Sequence, residues 1–293
     1  MRTFSPAETV ACSRLIELAV LEDLGFEPLF RGDLTCRVLI PPGYRGRAAF
    51  VARQVGVLAG LPALPLVLGA IDPDLNVETL LTDGTALEPG ARIALVSGDF
   101  ARLLTAERTA LNFVQHLSGI ATHTRRYVDA VAGLPIKILD TPKTTPGWRL
   151  LEKYAVRCGG GQNHRLGLYD GILIKDNHLA AAKHAFSIGD ALRMSASIPL
   201  PVEIEVDTLP QLDEALAARC KPGIVLLDNM SLPELREAVR RRNKIAPSVL
   251  LEASGGVTLD TVRGIAETGV DRISVGALTH SAPALDIALD YLP

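Results

Sequence analysis

Six short apolar runs separated by helix-forming stretches predict an α/β protein whose C-terminal part is built on a parallel sheet. Three observations carry that reading. First, IKILD (136–140), GILIK (171–175), VEIEV (202–206), IVLLD (224–228), VLLEA (249–253) and RISVG (272–276) alternate with helical segments. Second, the last four units recur every 23 or 24 residues, counted from Glu205 to Asp228, Glu252 and Gly276. Third, helix-start signals fall between the runs. Thr208 precedes Gln211 and Ser231 precedes Glu234 at capping-box spacing, and Pro210 and Pro233 lie in first turns, where a missing N–H costs little. The spacing is that of βα barrels, although six units fall short of the usual eight.

The first hundred residues read as a mixed α and β region. Apolar positions at helical spacing (Val10, Leu15, Ile16, Ala19, Val20) predict a helix over 8–24 that ends at Gly25. Asp33 then precedes an apolar run closed by Pro41 and Pro42. Arg47 to Gly60 has strand character broken by Gly56, and Leu61 to Ala70 is a short helix candidate. Asn76 to Phe100 holds two apolar runs, expected to pair antiparallel through a turn at Pro89-Gly90. Leu103 to Ala132 is a long helix with Leu104, Leu111, Val114, Leu117 and Ile120 on one face; Arg108 falls off that face, and Gly119 is a candidate break.

The composition of the 293 residues excludes several classes of function. Net charge is −3 and aromatics are 4%, which argues against nucleic-acid binding and base-stacking surfaces. No apolar run reaches 18 residues free of charge, so no membrane span is expected. Cys12, Cys36, Cys158 and Cys220 are scattered without CxxC spacing and read as reduced thiols in a cytoplasmic protein.

Function in βα folds gathers at the C-terminal ends of strands. Here those ends carry Asp140, Lys175, Glu205, Asp228, Glu252 and Gly276. Helix capping would account for Asp140 or Asp228, but a lysine near a helix N-terminus has the wrong sign for the dipole. Glycine turns, Ser254-Gly255-Gly256 and Val275-Gly276-Ala277, close the last two strands and suit a phosphate. Between the first two strands, Lys143, Arg149, Lys153, Arg157 and Arg165 surround three consecutive glycines, Gly159 to Gly161. This basic excess in an acidic chain reads either as an anion site or as a solvated basic helix with a loose loop. Bases, acids and a phosphate cup together suit a phosphorylated sugar and a second, anionic reactant.

The stretch LDTPKTTPGWRLLEKYAVRCGGGQNHRLGLYDGILIKDNH closely resembles the core of the quinolinate phosphoribosyltransferase family, the carboxylating nicotinate-nucleotide pyrophosphorylases. The likeness continues through AERTALNFVQHLSGIAT, VEIEVD, VLLDNM, LEASGGV and ISVGALTHS, and reaches back to GDLT, covering nearly the whole chain. It implies a type II phosphoribosyltransferase-like fold. An N-terminal α/β sandwich (1–115, with 281–293 packing on it) would precede an open α/β barrel of about six parallel strands (116–280). It also implies transfer of a phosphoribosyl group from phosphoribosyl pyrophosphate to quinolinate with loss of CO2, in a magnesium-dependent homodimer or higher homo-oligomer of the NAD biosynthetic route. By resemblance, Arg108, Thr141, Pro142, Lys143, His164, Arg165 and Lys175 bind the substrates, with Arg108 reaching into the partner's site. Glu205 and Asp228 hold the ribose hydroxyls or the magnesium ion, and with Lys143 and Lys175 form the expected catalytic set. Ser254, Gly255, Gly256, Val275, Gly276, Ala277 and His280 are assigned to the 5′-phosphate.

One residue departs from the pattern. The family usually reads DTRKT where this chain reads DTPKT, so Pro142 stands in place of an arginine expected to contact the pyridine dicarboxylate. Proline can donate from neither backbone nor side chain. Either another base, such as Arg149 or Lys143, takes the contact, or the enzyme uses another aromatic acid as acceptor.

Overall fold

The computed structural model describes residues 3–25, 32–180 and 186–293. The chain opens with α1 (Pro6–Leu24), where Glu8 Oε2 accepts the Ser5 amide at 2.6 Å, closing a capping box; Gly25 caps the other end. In α2 (Leu34–Leu39), Asp33 Oδ1 takes the Cys36 N–H at 2.8 Å, so that acid is a helix cap. Then come β1 (Arg45–Ala52), β2 (Gly56–Val57), α3 (Ala63–Ile71), β3 (Asn76–Thr79), β4 (Ala86–Leu87), β5 (Arg92–Asp99) and α4 (Phe100–Ala130).

All six expected parallel strands form. They are β6 (Lys137–Leu139), β7 (Ile172–Ile174), β8 (Val202–Val206), β9 (Ile224–Asp228), β10 (Leu250–Ser254) and β11 (Arg272–Ser274). Helix α5 (Arg149–Cys158) lies between β6 and β7. Helices α6 (Asp176–Ala180) and α7 (Ile188–Ser195) follow β7, α8 (Leu209–Ala217) follows β8, and α9 (Leu232–Ile245) follows β9. Helix α10 (Val262–Ala266) precedes β11, and α11 (Ala277–His280) precedes the last strand, β12 (Ile287–Leu292). The two capping boxes read from sequence are present. Gln211 accepts the Thr208 amide at 3.0 Å, and Glu234 accepts the Ser231 amide at 2.8 Å.

The chain divides into two compact units. One comprises 1–125, 144–160 and 278–293; the other comprises 126–143 and 161–277. The sheet of the first unit has the antiparallel order β12-β1-β5-β3. Its central strand β1 is buried from Ala48 to Ala52 and apolar on both faces. The antiparallel pairing expected within 76–100 forms, β3 against β5, and Pro89-Gly90 make the turn that leads into β5, with the Ala91 amide donating to the Glu88 carbonyl at 3.0 Å and Gly90 at φ +88°. The connection between β3 and β5 holds the short strand β4, which pairs with β2, Gly56 opposite Leu87. Gly119 does not break α4: a Cβ there would lie 2.1 Å from the Pro283 carbonyl oxygen, so the glycine allows a close approach of backbone.

Helix α5 belongs to this first unit and corrects the picture of a solvated basic helix. Leu151 to Val156 are buried, Lys153 completely, and Arg157 pairs with Glu8 of α1 at 2.5 Å. The glycines that follow are packing residues. A Cβ on Gly159 would meet the Ala121 carbonyl oxygen at 2.4 Å, and Gly160 turns the chain at φ +96°.

The second unit is a six-stranded, all-parallel sheet in the order β6-β11-β10-β9-β8-β7. Sequence neighbours pair all the way from β7 to β11, and β11 returns to β6. This is a barrel left open between β6 and β7. The β6 edge is occupied by Gln162, whose amide donates to the Ile138 carbonyl at 2.8 Å and whose carbonyl accepts from the Asp140 amide at 3.1 Å.

Candidate active site

Pleating sends alternate side chains of the parallel strands to opposite faces. On β8, Val202, Ile204 and Val206 point one way and Glu203 and Glu205 the other. Register places Glu205 beside Leu226, Leu226 beside Glu252, and Glu252 beside Arg272. The inner wall of the barrel therefore carries Glu203, Glu205, Glu252 and Arg272 among Ile224, Leu226 and Leu250. One step further along the strands, Asp228 stands beside Ser254.

Two of the residues expected to be catalytic meet directly. Lys175, just beyond the end of β7, donates from Nζ to Glu205 Oε2 at 2.6 Å, and its backbone N–H donates to His178 Nδ1 at 2.9 Å. The lysine is about half-exposed and the carboxylate largely buried, so the pair has one end in solvent and one in the barrel wall. Asp228 ends β9, where its Oδ2 accepts from Asn229 Nδ2 at 2.7 Å.

The glycine turn after β10 is shaped by the neighbouring strand end. Gly255 and Gly256 have φ of +93° and +57°, and a Cβ on Gly255 would strike Asn229 Oδ1 at 2.2 Å. Asn229 is itself left-handed at φ 53° and donates its amide to the Ser254 carbonyl at 2.9 Å. Glycines with positive φ at a strand end are the backbone type from which phosphate-binding turns are built. Val275, Gly276 and Ala277 follow β11, with the Val275 amide donating to Leu139 of β6 at 2.9 Å.

Asp140 is fully buried and holds a loop. Its two oxygens take the His164 amide at 2.8 Å and Asn163 Nδ2 at 2.6 Å, pinning the segment that carries His164 and Arg165. The His164 ring enters the barrel, with Nε2 at 3.0 Å from Glu203 Oε2 and 3.4 Å from Glu252 Oε1; the other nitrogen, Nδ1, accepts the Arg165 amide at 2.8 Å. Burial alone would lower the His164 pKa, but hydrogen bonds and charge from the two acids outweigh it and raise the pKa to about 9. The Arg165 amide opposes a second ring proton, because a nitrogen that accepts cannot also carry one. In the neutral ring this contact places the proton on Nε2, facing the acids. Arg272 Nε lies 2.9 Å from Glu252 Oε2 without hydrogen-bond alignment, so that contact is one of charge alone.

Glu203, Glu252 and Arg272 are the residues that sequence reading missed as a group. The strict alternation in VEIEV was the available signal: two acids at i and i+2 on a buried strand share its inner face. Lys143, exposed, lies in the second unit, with Thr141 Oγ1 accepting its amide at 3.2 Å and Pro142 between them. Arg108, exposed on α4, and His280, whose Nδ1 is 2.6 Å from Ser281 Oγ, lie in the first unit.

Family models match nearly the whole chain: the N-terminal domain of quinolinate phosphoribosyl transferase over residues 33–118 and its C-terminal domain over 120–290. The nicotinate-nucleotide pyrophosphorylase [carboxylating] of Mycobacterium leprae is 47% identical over 290 residues, covering 98% of this chain and 99% of the relative. A probable counterpart from Synechocystis is 42% identical over 271 residues, covering 92% and 89%. The solved nicotinate-nucleotide pyrophosphorylase of Francisella tularensis superposes with a TM-score of 0.89 at 36% identity, covering 99% of this chain and 98% of the other.

Proposed function

The chain belongs to the quinolinate phosphoribosyltransferase family, and on that premise we propose how its own residues carry the reaction. The reaction is phosphoribosyl transfer from phosphoribosyl pyrophosphate to quinolinate with decarboxylation, giving nicotinate mononucleotide, pyrophosphate and CO2. The observation that carries the assignment of roles is the 2.6 Å contact between Lys175 and Glu205 at the barrel mouth, with Asp228 and the glycine turns on the neighbouring strand ends.

The pyridine nitrogen attacks the anomeric carbon as the bond to pyrophosphate breaks, through an oxocarbenium-like transition state. Lys143 and Lys175 stabilise the negative charge that develops on the departing pyrophosphate. Glu205 and Asp228 accept hydrogen bonds from the ribose hydroxyls, and Glu205 orients Lys175. Ser254, Gly255, Gly256 and Val275 to Ala277 cradle the 5′-phosphate, and the family resemblance assigns His280 to the same group. Once the ring nitrogen is quaternised, the electron pair of the breaking C–CO2 bond stays on ring carbon 2, next to the positive nitrogen, and is then protonated. No protein nucleophile is needed. What the protein must do is hold a dianion, which is the role assigned to Thr141, Lys143, Arg165 and Arg108.

Magnesium fits Glu205 and Asp228: each has an oxygen outside the contacts described, and the ion commonly takes one or two carboxylates together with substrate phosphates. When bound with the donor it supplies positive charge to the pyrophosphate. The active unit is proposed as a homodimer in which Arg108 serves the partner's site; its exposure on α4 supports this. A cytoplasmic location is supported by four free cysteines and by the absence, among the described residues, of any helix long and apolar enough to cross a membrane.

The test is direct. Purified protein with quinolinate, phosphoribosyl pyrophosphate and magnesium should release nicotinate mononucleotide and CO2, and should release neither when nicotinate replaces quinolinate or when magnesium is chelated. A folded protein that releases no CO2 from quinolinate would sink the assignment.

A further inference from the structure

His164, Glu203 and Glu252 bring a ring nitrogen and two carboxylates within 4.8 Å of one another, all buried. On donor types this could pass for a cation site, but the ring is turned the wrong way. A metal-bound imidazole offers a lone pair to the ion and donates its other N–H outward. Here Nδ1 accepts the Arg165 amide, so in the neutral ring the proton sits on Nε2, between the acids. Arg272 adds positive charge beside Glu252, where a cation would be repelled. The cluster is an ionic footing for the imidazole.

That footing leaves His164 little to offer a substrate. Both ring nitrogens are engaged inside the unit, and the residue is only 8% exposed. The next residue is different. Arg165 is half-buried, and its Nε is buried with no hydrogen-bond partner among the described residues. Its main chain is held by His164 Nδ1, and the flanking residues are held by Asp140 and by Asp170, which accepts the Leu166 and Gly167 amides at 2.7 and 3.0 Å.

We propose that His164 is a positioning residue and not a substrate ligand: standing on Glu203 and Glu252, it fixes the backbone of Arg165 so that this guanidinium meets the acceptor's carboxylates. The inference rests on the reading that Arg165 binds quinolinate. It makes Glu203 and Glu252 specificity determinants for the acceptor, although neither touches it.

A double-mutant cycle tests this, with quinolinate Kd measured by calorimetry, KM for both substrates, and thermal midpoints to check folding. Arg165→Ala should weaken quinolinate about ten- to a hundredfold, the worth of a charge-assisted contact, and leave the phosphoribosyl pyrophosphate KM unchanged. Glu203→Gln and His164→Gln should show the same signature in smaller degree. Because His164 acts through Arg165, the double variant His164→Gln/Arg165→Ala should bind quinolinate no more weakly than Arg165→Ala alone. Multiplying losses would mean that His164 contacts quinolinate itself and would overturn the proposal. Should His164→Gln fail to fold, the cycle of Glu203→Gln with Arg165→Ala distinguishes the same two outcomes. An Arg165→Ala variant with unaltered quinolinate binding would instead overturn the reading beneath the proposal, and the proposal with it.

Discussion

The two sheets of this chain both bury their central strands, but they bury different things. In the antiparallel sheet, Ala48 to Ala52 of β1 are buried and apolar on both faces, with Phe50 opposite Leu289 on one neighbour and Ala94 on the other. In the parallel sheet, β8 and β10 are apolar on one face, with Ile204, Val206, Leu251 and Ala253, and carry Glu203, Glu205 and Glu252 on the other. Burying a carboxylate costs several kcal/mol unless it is paired, and apolar side chains of similar volume often serve stability as well or better. The first sheet is thus explained by stability alone. The inner face of the second is not, and ionic groups kept there at a cost in desolvation point to the site. The difference predicts that variants in the two sheets fail in different ways.

The largest effect is expected at Lys175. Lys175→Ala should lower kcat about a hundred- to a thousandfold, the usual loss when a group that stabilises transition-state charge is removed. Its ion pair with Glu205 is partly solvent-exposed, so stability should shift by less than about 1 kcal/mol. Denaturation and steady-state kinetics on one preparation decide the point, and a comparable collapse of stability would make Lys175 a structural residue. Phe50→Ala is the mirror image. This side chain is 1% exposed, and its truncation should cost about 3–5 kcal/mol of stability while kcat per folded molecule stays as it was. If kcat fell as well, the antiparallel sheet could no longer be regarded as scaffold only.

A smaller effect belongs to the glycine turn. In Gly255→Ala the new Cβ would sit 2.2 Å from Asn229 Oδ1 at φ +93°, a conformation that L residues rarely adopt. The turn must shift, so KM for phosphoribosyl pyrophosphate should rise roughly tenfold, about 1.4 kcal/mol, with quinolinate binding unaffected. An equal rise for both substrates would show that the turn supports the whole mouth and not the phosphate alone.

Periodicity made the six parallel strands legible because each is a local run with its own helix behind it. Lys175 and Glu205 were legible as residues at strand ends, but their direct contact was not, because it needs β7 and β8 to lie side by side. The inner acids at Glu203 and Glu252 were within reach too, since VEIEV alternates strictly, but their meaning depends on which face the closing sheet turns inward. Other features depend on distant partners. Strand β4, inside the connection from β3 to β5, finds β2 some thirty positions earlier. Helix α5 looked solvated from its charges, yet Arg157 reaches Glu8 and the rest of the helix is covered. Gly119 resembled a helix breaker, and only the approach of Pro283 explains it.

The smallest effect tests the one residue that departs from the family pattern. Pro142 stands where an arginine is usual, and a lost charge-assisted contact would be worth about 1.5–3 kcal/mol, or ten- to a hundredfold in binding. An ionic inner face that is otherwise intact argues that the acceptor is still held, with Lys143 or Arg149 supplying the charge that Pro142 lacks. Pro142→Arg should then lower the quinolinate KM by less than about tenfold, below ~1.4 kcal/mol, because the contact is already made. A gain at the upper end of the arginine's worth would show that no other base had taken the position. The same variant made together with Lys143→Ala and, separately, with Arg149→Ala locates the substitute. The base that compensates is the one whose removal the new arginine rescues.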